Sequence, residues 1–96
     1  MPTYVSLINW TDQGIRTVRD TLNRRGQTEE LAEKHGVKIE QVYWTVGPYD
    51  VVIVLEADDE SATAMLLELS SAGNLKTLTL RAYGDEEMSG IIRTLG

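Results

Sequence analysis

The chain contains no cysteine, which excludes disulfide bonds, thiolate nucleophiles and zinc or iron–sulfur sites built on cysteine. Its one histidine, His35, cannot form a multi-histidine metal site. No apolar run approaches the roughly 20 residues that a membrane-spanning helix requires, and no basic stretch followed by an apolar run suggests a targeting leader. We therefore expect a cytoplasmic protein with no membrane partner, no metal and no cofactor.

Positive charge is also scarce. Nine Lys and Arg residues stand against fifteen Asp and Glu residues, for a net charge of −6, and only Arg24 and Arg25 are adjacent. Nucleic-acid affinity depends on Lys and Arg displacing counterions from phosphates, so DNA and RNA are excluded as partners. A length of 96 residues, with 42% hydrophobic and 25% charged residues, fits a single folded domain over residues 1–96.

Local patterns predict four strands in the order β-α-β-β-α-β, followed by a short final helix. The strands are predicted at residues 3–10, 37–46, 50–56 and 75–83. Gly47 and Pro48 lie between the second and third strands, which should therefore form a hairpin.

Helix start and stop residues place the helices between these strands. The first helix begins after Thr11 and ends at Gly36, because glycine adopts the left-handed conformation readily. We expect it to be bent or broken near Gly26, where its apolar stripe is interrupted. The second and final helices follow the acidic residues 58–60 and 85–87. The apolar stripes are Ile15, Val18, Leu22, Leu31 and Ala32 in the first helix, Ala62, Met65, Leu66 and Leu69 in the second, and Met88, Ile91, Ile92 and Leu95 in the last.

Two successive βαβ units predict a ferredoxin-like fold of the α+β class, with a four-stranded antiparallel sheet and both main helices on one face. The third strand is apolar on both sides, because Val51, Ile53 and Leu55 alternate with Val52 and Val54. The face without helices therefore needs a cover. A second copy of the same sheet is the simplest one, so we predict a homodimer or a higher homo-oligomer.

The first and fourth strands are expected to turn their aliphatic residues toward the helices. The helix side then holds Val5, Leu7, Leu78, Leu80 and Ala82, and the other side holds Tyr4, Ser6, Ile8, Trp10, Thr77, Thr79, Arg81 and Tyr83.

Three segments resemble the GYD-domain family. They are Gly47-Pro48-Tyr49-Asp50, the run Trp10-Thr11-Asp12-Gln13-Gly14, and Gly73-Asn74-Leu75 with Thr79-Leu80-Arg81. The resemblance covers nearly the whole chain. It implies the dimeric α/β-barrel superfamily, in which two ferredoxin-like sheets pair into a barrel, and it carries over no catalytic residue.

Tyr49 and Asp50 have two interpretations. Glycine and proline at positions 47 and 48 are typical of a hairpin turn, and an aspartate can accept hydrogen bonds from local backbone donors. Alternatively, both side chains lie at the mouth of a barrel pocket and bind a ligand. Arg81 would likewise pair with a carboxylate across the dimer, either Glu56 or Asp50, or hold an anionic ligand.

His35 and the two tryptophans have structural explanations as well. A histidine at a helix C-terminus interacts favourably with the helix dipole. Tryptophans are typical core or interface anchors, although they can line an apolar cavity. The candidate ligand pocket comprises Trp10, Trp44, Tyr49, Asp50, Arg81 and Tyr83.

Two functions remain open. The first is a homo-oligomeric small-molecule-binding or sensing domain with a pocket between the sheets. The alternative is a small cofactor-independent enzyme, as some members of the α/β-barrel superfamily are. A GxSxG motif, a metal-ligand spacing and a second histidine are all lacking, so no residue is predicted to be catalytic.

Overall fold

The computed structural model describes residues 1–96, and it confirms the predicted element order. The strands are β1 (Thr3–Trp10), β2 (Lys38–Trp44), β3 (Val51–Glu56) and β4 (Leu75–Ala82). The helices are α1 (Asp12–Arg16), α2 (Thr21–His35), α3 (Asp59–Ser71) and α4 (Asp85–Ile92), with a 3-10 turn at Val18–Asp20. All neighbouring strands pair antiparallel in the order β2-β3-β1-β4. The fold is α+β and ferredoxin-like.

The first helical segment breaks at Thr17 rather than near Gly26, so the expected position of the break is wrong. The Thr17 N–H donates to the carbonyl of Gly14 at the end of α1. The guanidinium of Arg24 donates to the Thr17 carbonyl at 3.0 Å, an oxygen that also accepts the Asp20 N–H at 3.0 Å. Gly26 lies inside the continuous helix α2.

The predicted stripe at the start of this segment does not reach the core. Ile15 is 49% exposed and Leu22 is 72% exposed. Later in the stripe, Ala32 is buried and Leu31 packs against the core, as predicted, and Thr28 is buried as well. The two buried positions of α2 are therefore occupied by small side chains.

Two helix ends follow the sequence signals closely. Gly36 ends α2 with φ 69°, and its N–H donates to the carbonyls of Ala32 and Glu33. Asp58 precedes α3, and its carboxylate accepts the backbone N–H of Ser61 at 2.8 Å. Hydrogen bonds from the backbone and hydroxyl of Ser61 hold the pKa of Asp58 below its ordinary value.

The helices cover one face of the sheet, and the expected faces of β1 and β4 are wrong. Ser6 and Ile8 are fully buried beneath the helices, so Val5 and Leu7 point to the opposite side. The register pairs Ser6 with Thr79, so β4 is reversed as well. The helix-covered face therefore includes Tyr4, Ser6, Ile8 and Trp10 from β1, and Thr77, Thr79 and Arg81 from β4.

A hydrogen bond explains why polar residues occupy this face. The hydroxyls of Ser6 and Thr79 lie 2.9 Å apart. Each therefore satisfies the other away from water, which removes most of the penalty for burying them.

The second face carries no helix, and we call it the open face. Leu78 is 51% exposed and Leu80 is 48% exposed there. The aliphatic residues of the open face are Val5, Leu7, Val52, Val54, Leu78 and Leu80. β3 is thus apolar on both sides, as its alternation predicts.

Helix α4 contributes nothing to the core. It has no buried residue, and Met88, Ile91, Ile92 and Leu95 are 45%, 39%, 53% and 71% exposed. The protein measures 52 × 30 × 18 Å along its principal axes. None of its helices is long and apolar enough to span a membrane.

Candidate functional site

The β2–β3 loop is a closed hairpin turn, as the glycine and proline indicate. The Thr45 N–H donates to the carbonyl of Asp50 at 2.8 Å, and the Thr45 hydroxyl donates to the carbonyl of Tyr49 at 2.6 Å. Gly47 has φ 138°, a conformation that a side chain would strain. Thr45 therefore closes the loop through both its backbone and its side chain.

The carboxylate of Asp50 binds the end of β1. It accepts the backbone N–H of Trp10 at 3.0 Å and the side-chain amide of Asn9 at 3.4 Å. The amide of Asn9 also donates to the carbonyl of Pro48 at 2.8 Å. Asp50 therefore fastens the hairpin loop to the neighbouring strand.

Arg81 pairs within its own chain. Its guanidinium lies 3.0 Å from the Glu87 carboxylate on α4, rather than beside Glu56 or Asp50. It also donates to the backbone carbonyls of Thr3 and Ala82. The hydrogen bond from Arg81 holds the pKa of Glu87 below its ordinary value.

Tyr83 lies against the same guanidinium. The ring centre of Tyr83 is 4.3 Å from the Arg81 guanidinium carbon, and that of Tyr4 is 5.9 Å away. Both distances are within the range of cation–π attraction. Arg81 and Tyr83 thus form one cluster, on the helix-covered side and near the start of α4.

His35 lies in the last turn of α2, as expected, and also contacts α3. Its Nε2 is 2.9 Å from the Glu68 carboxylate, which Lys34 also approaches at 2.9 Å. Hydrogen bonds from His35 and Lys34 lower the pKa of Glu68. No three His, Asp or Glu side chains are grouped to hold a metal ion.

Trp10 and Trp44 meet at a cavity between the helix-covered face and helices α2 and α3. Its volume is about 210 Å³. The Trp44 indole N–H donates to the hydroxyl of Thr21 at 3.0 Å. The apolar walls are Ile8, Trp10, Leu31, Val42, Trp44, Val51, Ile53, Leu69, Ala72 and Leu75.

The comparisons with known proteins agree with this architecture. The GYD domain family matches residues 4–92. The chain belongs to the GYD-domain family. A relative from Thermus thermophilus, named glutamine synthetase and cystathionine beta-lyase binding protein, is 39% identical over 84 residues, which cover 85% of this chain and 88% of the relative.

A solved structure has the same fold as this GYD domain. The crystal structure of TTHA0845 from Thermus thermophilus superposes with a TM-score of 0.54 at 22% identity. The superposition covers 88% of this chain and 95% of that chain. At this identity the likeness concerns the fold alone.

The six candidate pocket residues of this GYD domain fall into three groups. Trp10 and Trp44 line the cavity, and Arg81 clusters with Tyr83. The third group, Tyr49 and Asp50, lies in the hairpin loop, where the Asp50 carboxylate accepts the backbone N–H of Trp10. The six side chains therefore do not converge on one point.

Sequence reasoning missed the helical wall of the cavity. Thr21, Arg24, Arg25 and Thr28 line it from α2. Their spacing of three or four residues puts them on one face of a helix. The available signal for this wall was the polar stripe itself, in a helix that has few apolar residues.

Proposed function

We propose that this GYD domain is a homo-oligomeric regulatory protein that binds metabolic enzymes. Its membership of the family and its relative support a binding role, because the relative is named for binding two enzymes. Residues with catalytic potential are engaged elsewhere. Asp50 bonds to the Trp10 backbone, His35 to Glu68, and Arg81 to Glu87, which favours binding over the cofactor-independent enzyme.

The open face is the observation that carries this proposal. Its aliphatic side chains are contiguous across three strands, because Val54 and Leu80 both pair with Val5, while Val52 and Leu78 both pair with Leu7. A contiguous apolar patch on a folded domain is typical of a protein–protein interface. The exposures of Leu78 and Leu80 exceed those of β3 because β4 lies at the sheet edge.

A second copy fits this surface better than an unrelated partner. The open face is apolar over its centre, and two such faces related by a two-fold axis are complementary without new charges. Stacking them yields the dimeric α/β barrel that the resemblance implies. A standard interface buries about 1,600 Å² in total, and four short strands from each copy offer an area of that order.

Helix α4 offers a second apolar surface to a neighbouring subunit. Its acidic first turn contains Asp85, Glu86 and Glu87, and its apolar residues find no cover in their own chain. We place the apolar stripe of α4 on the neighbouring subunit. The Arg81–Glu87 ion pair at 3.0 Å fixes the start of the helix.

The space between the two sheets is then an aliphatic contact and not a ligand pocket. Trp10 and Arg81 lie on the helix-covered face, opposite the proposed interface, and Trp44 lines the cavity on that same side. The oligomer would therefore act through the proteins that it binds. Association in the cytoplasm, where such enzymes work, is part of this proposal.

Native mass spectrometry tests the self-association. At micromolar concentration we expect a species of twice the 10.7 kDa chain mass. The double substitution Leu78→Asp with Leu80→Asp should leave monomer, because it places two charges in the apolar contact. Leu22→Asp is the matched control, since Leu22 is 72% exposed on α2. A wild-type spectrum that shows only the 10.7 kDa species would contradict the dimer.

Enzyme binding is tested with purified glutamine synthetase from the organism that encodes this chain. Biolayer interferometry should show saturable binding at micromolar concentration. An unrelated protein with the same net charge of −6 serves as the control. Absence of saturable binding up to about 100 µM, where specific association has become weak, would overturn the proposed partner and leave the dimer measurement unaffected.

A further inference from the structure

The cavity beside Trp10 and Trp44 lies on the side of the sheet opposite the open face. It belongs to a single chain and needs no second copy to form. An inference about it therefore goes beyond the proposed binding of enzymes, and it succeeds or fails independently of the oligomer.

Small residues on the helices leave this space unfilled. Thr28 faces the cavity from α2 and is 8% exposed, and its hydroxyl donates to the carbonyl of Arg24 at 2.9 Å. Ala72 faces it from the end of α3. A larger aliphatic residue at Thr28 would occupy the volume, and one at the exposed Ala72 would narrow the mouth of the cavity.

The size and walls of the cavity suit one small ring system. An apolar cavity of about 150 Å³ binds benzene in another protein, and this one measures about 210 Å³. Its walls include both tryptophans of the chain. Indole rings offer flat apolar surfaces on which an aromatic ring can pack.

Arg24 supplies a positive charge at the cavity that no carboxylate neutralises. Its guanidinium donates to the Thr17 hydroxyl at 3.1 Å and to the carbonyls of Thr17 and Gly14 at 3.0 and 3.4 Å. All three acceptors are neutral oxygens. Two of the five guanidinium N–H donors remain, namely the Nε hydrogen and one hydrogen of Nη1.

The other charges at the cavity are already paired. Arg25 lies 2.8 Å from the Glu29 carboxylate. Glu68 is held by Lys34 and His35 at 2.9 Å each. Arg24 is therefore the cation available to an anionic ligand, and a carboxylate is a good acceptor for the donors of a guanidinium.

We propose that the cavity binds a small aromatic monocarboxylate, with the ring packed against Trp10 and Trp44 and the carboxylate bound by Arg24. The ring supplies the apolar area and the carboxylate supplies the counter-charge. Thr28 and Ala72 set the size limit of the ligand.

Calorimetry with a matched pair of probes tests this site. The anionic probe is 4-isopropylbenzoate, and the neutral probe is 4-isopropylbenzyl alcohol. Wild-type protein should bind the benzoate at least about tenfold more tightly than the alcohol, a ratio that corresponds to one charge-assisted contact. Tryptophan fluorescence should change on binding, because both tryptophans line the cavity.

Four variants separate the contribution of the ring to binding from that of the carboxylate. Thr28→Leu fills the cavity from α2 and should abolish binding of both probes. Ala72→Leu narrows its mouth from the residue after α3 and should weaken binding of both probes. Circular dichroism and the melting temperature should show a folded protein in each case. Arg24→Met should weaken benzoate binding about tenfold and leave the alcohol unchanged. Arg19→Met, on the exposed 3-10 turn, is the control and should change neither.

Two results would overturn the proposal. Equal affinity for both probes, unaltered by Arg24→Met, would contradict the carboxylate. Absence of heat and of a fluorescence change with either probe at millimolar concentration, in a folded protein, would contradict the site itself.

Discussion

The carboxylate of Asp50 accepts the backbone N–H of Trp10 at 3.0 Å, which joins the β2–β3 hairpin loop to the last residue of β1. The Asp50 N–H also donates to the carbonyl of Ile8 at 2.8 Å. These two bonds continue the β1–β3 ladder beyond its last strand pair, Ile8 with Val51. The last residue of the Gly-x-Tyr-Asp segment thus stabilises the strand end that presents Trp10 to the cavity.

Asp50→Ala should lower the free energy of unfolding by about 1–2 kcal/mol, because it leaves the part-buried Trp10 N–H without its acceptor. Asp50→Asn should cost less, since its amide oxygen can still accept. Urea denaturation measures both. Glu30→Ala removes an exposed carboxylate from α2 and is the control. Equal stabilities for the Asp50→Ala and Glu30→Ala proteins would show that the Trp10 bond contributes nothing.

Two glycine substitutions should have opposite effects. A Cβ at Gly14 would overlap the carbonyl of Asn74, and that carbonyl is fixed by accepting the Thr11 N–H at 3.0 Å. We expect Gly14→Ala to destabilise the fold by about 2–3 kcal/mol.

Gly26 lies inside α2, and a Cβ at this position would meet no other atom within 4 Å. Gly26→Ala should therefore raise the free energy of unfolding by about 0.5–1 kcal/mol, because alanine favours a helix over glycine. Thermal denaturation, followed by circular dichroism, measures the stability of this variant and, separately, that of Gly14→Ala. A destabilised Gly26→Ala protein would indicate that α2 is not continuous there.

The contacts between α2 and α3 should depend on pH through Glu68. Its pKa is lowered from the ordinary 4.5, first by the hydrogen bond from His35 and then by Lys34. Because the pKa is lowered in the folded state, the charged carboxylate stabilises the fold at pH values above its ordinary pKa. This contribution is lost as the pH falls through the folded-state pKa.

Glu68→Gln should therefore melt below the wild type at about pH 6, and the difference should shrink as the pH falls below 4.5. Added salt should reduce the difference, because Lys34 and Glu68 are exposed. Glu33→Gln, in the exposed part of α2, should show no such dependence. A gap that stays constant down to pH 3 would assign the effect of Glu68→Gln to something other than its charge.

The apolar stripe of α4 should matter for assembly and not for folding of one chain. Ile91→Asp combined with Ile92→Asp should raise the dimer dissociation constant about tenfold or more, because each isoleucine loses its apolar contact. Analytical ultracentrifugation measures the constant. Ser89→Asp adds a charge to the same helix and is the control. If the double variant dimerises like the wild type, α4 does not pack on the neighbouring subunit.

Local signals predicted the element order well because they depend on neighbours in sequence. Gly36 ended α2 and Asp58 began α3 where expected, since the cap of a helix is a contact of three or four residues. Gly26 was misleading about the position of the helix break. A glycine in a helix weakens it only slightly, and here the break at Thr17 is held by a side chain seven residues later, Arg24.

The candidate site was predicted only in part. Trp10 and Trp44 were identified from their residue type, and they do line one cavity. Arg81 was predicted to supply the charge beside them, but it pairs with Glu87 and does not line the cavity. Arg24 was not predicted, because its position relative to the cavity depends on how α2 packs on the sheet.

Local patterns in the chain are sufficient to predict the ferredoxin-like order of strands and helices, the two-sided apolar character of β3, and the caps that start and end the main helices. Which face of β1 and β4 the helices cover depends instead on how the helices pack on the folded sheet. Alternation in a strand defines two faces and does not say which one is inside. Here the Ser6–Thr79 hydroxyl pair, 2.9 Å apart, lets polar residues occupy the covered side and leaves Leu78 and Leu80 on the open face.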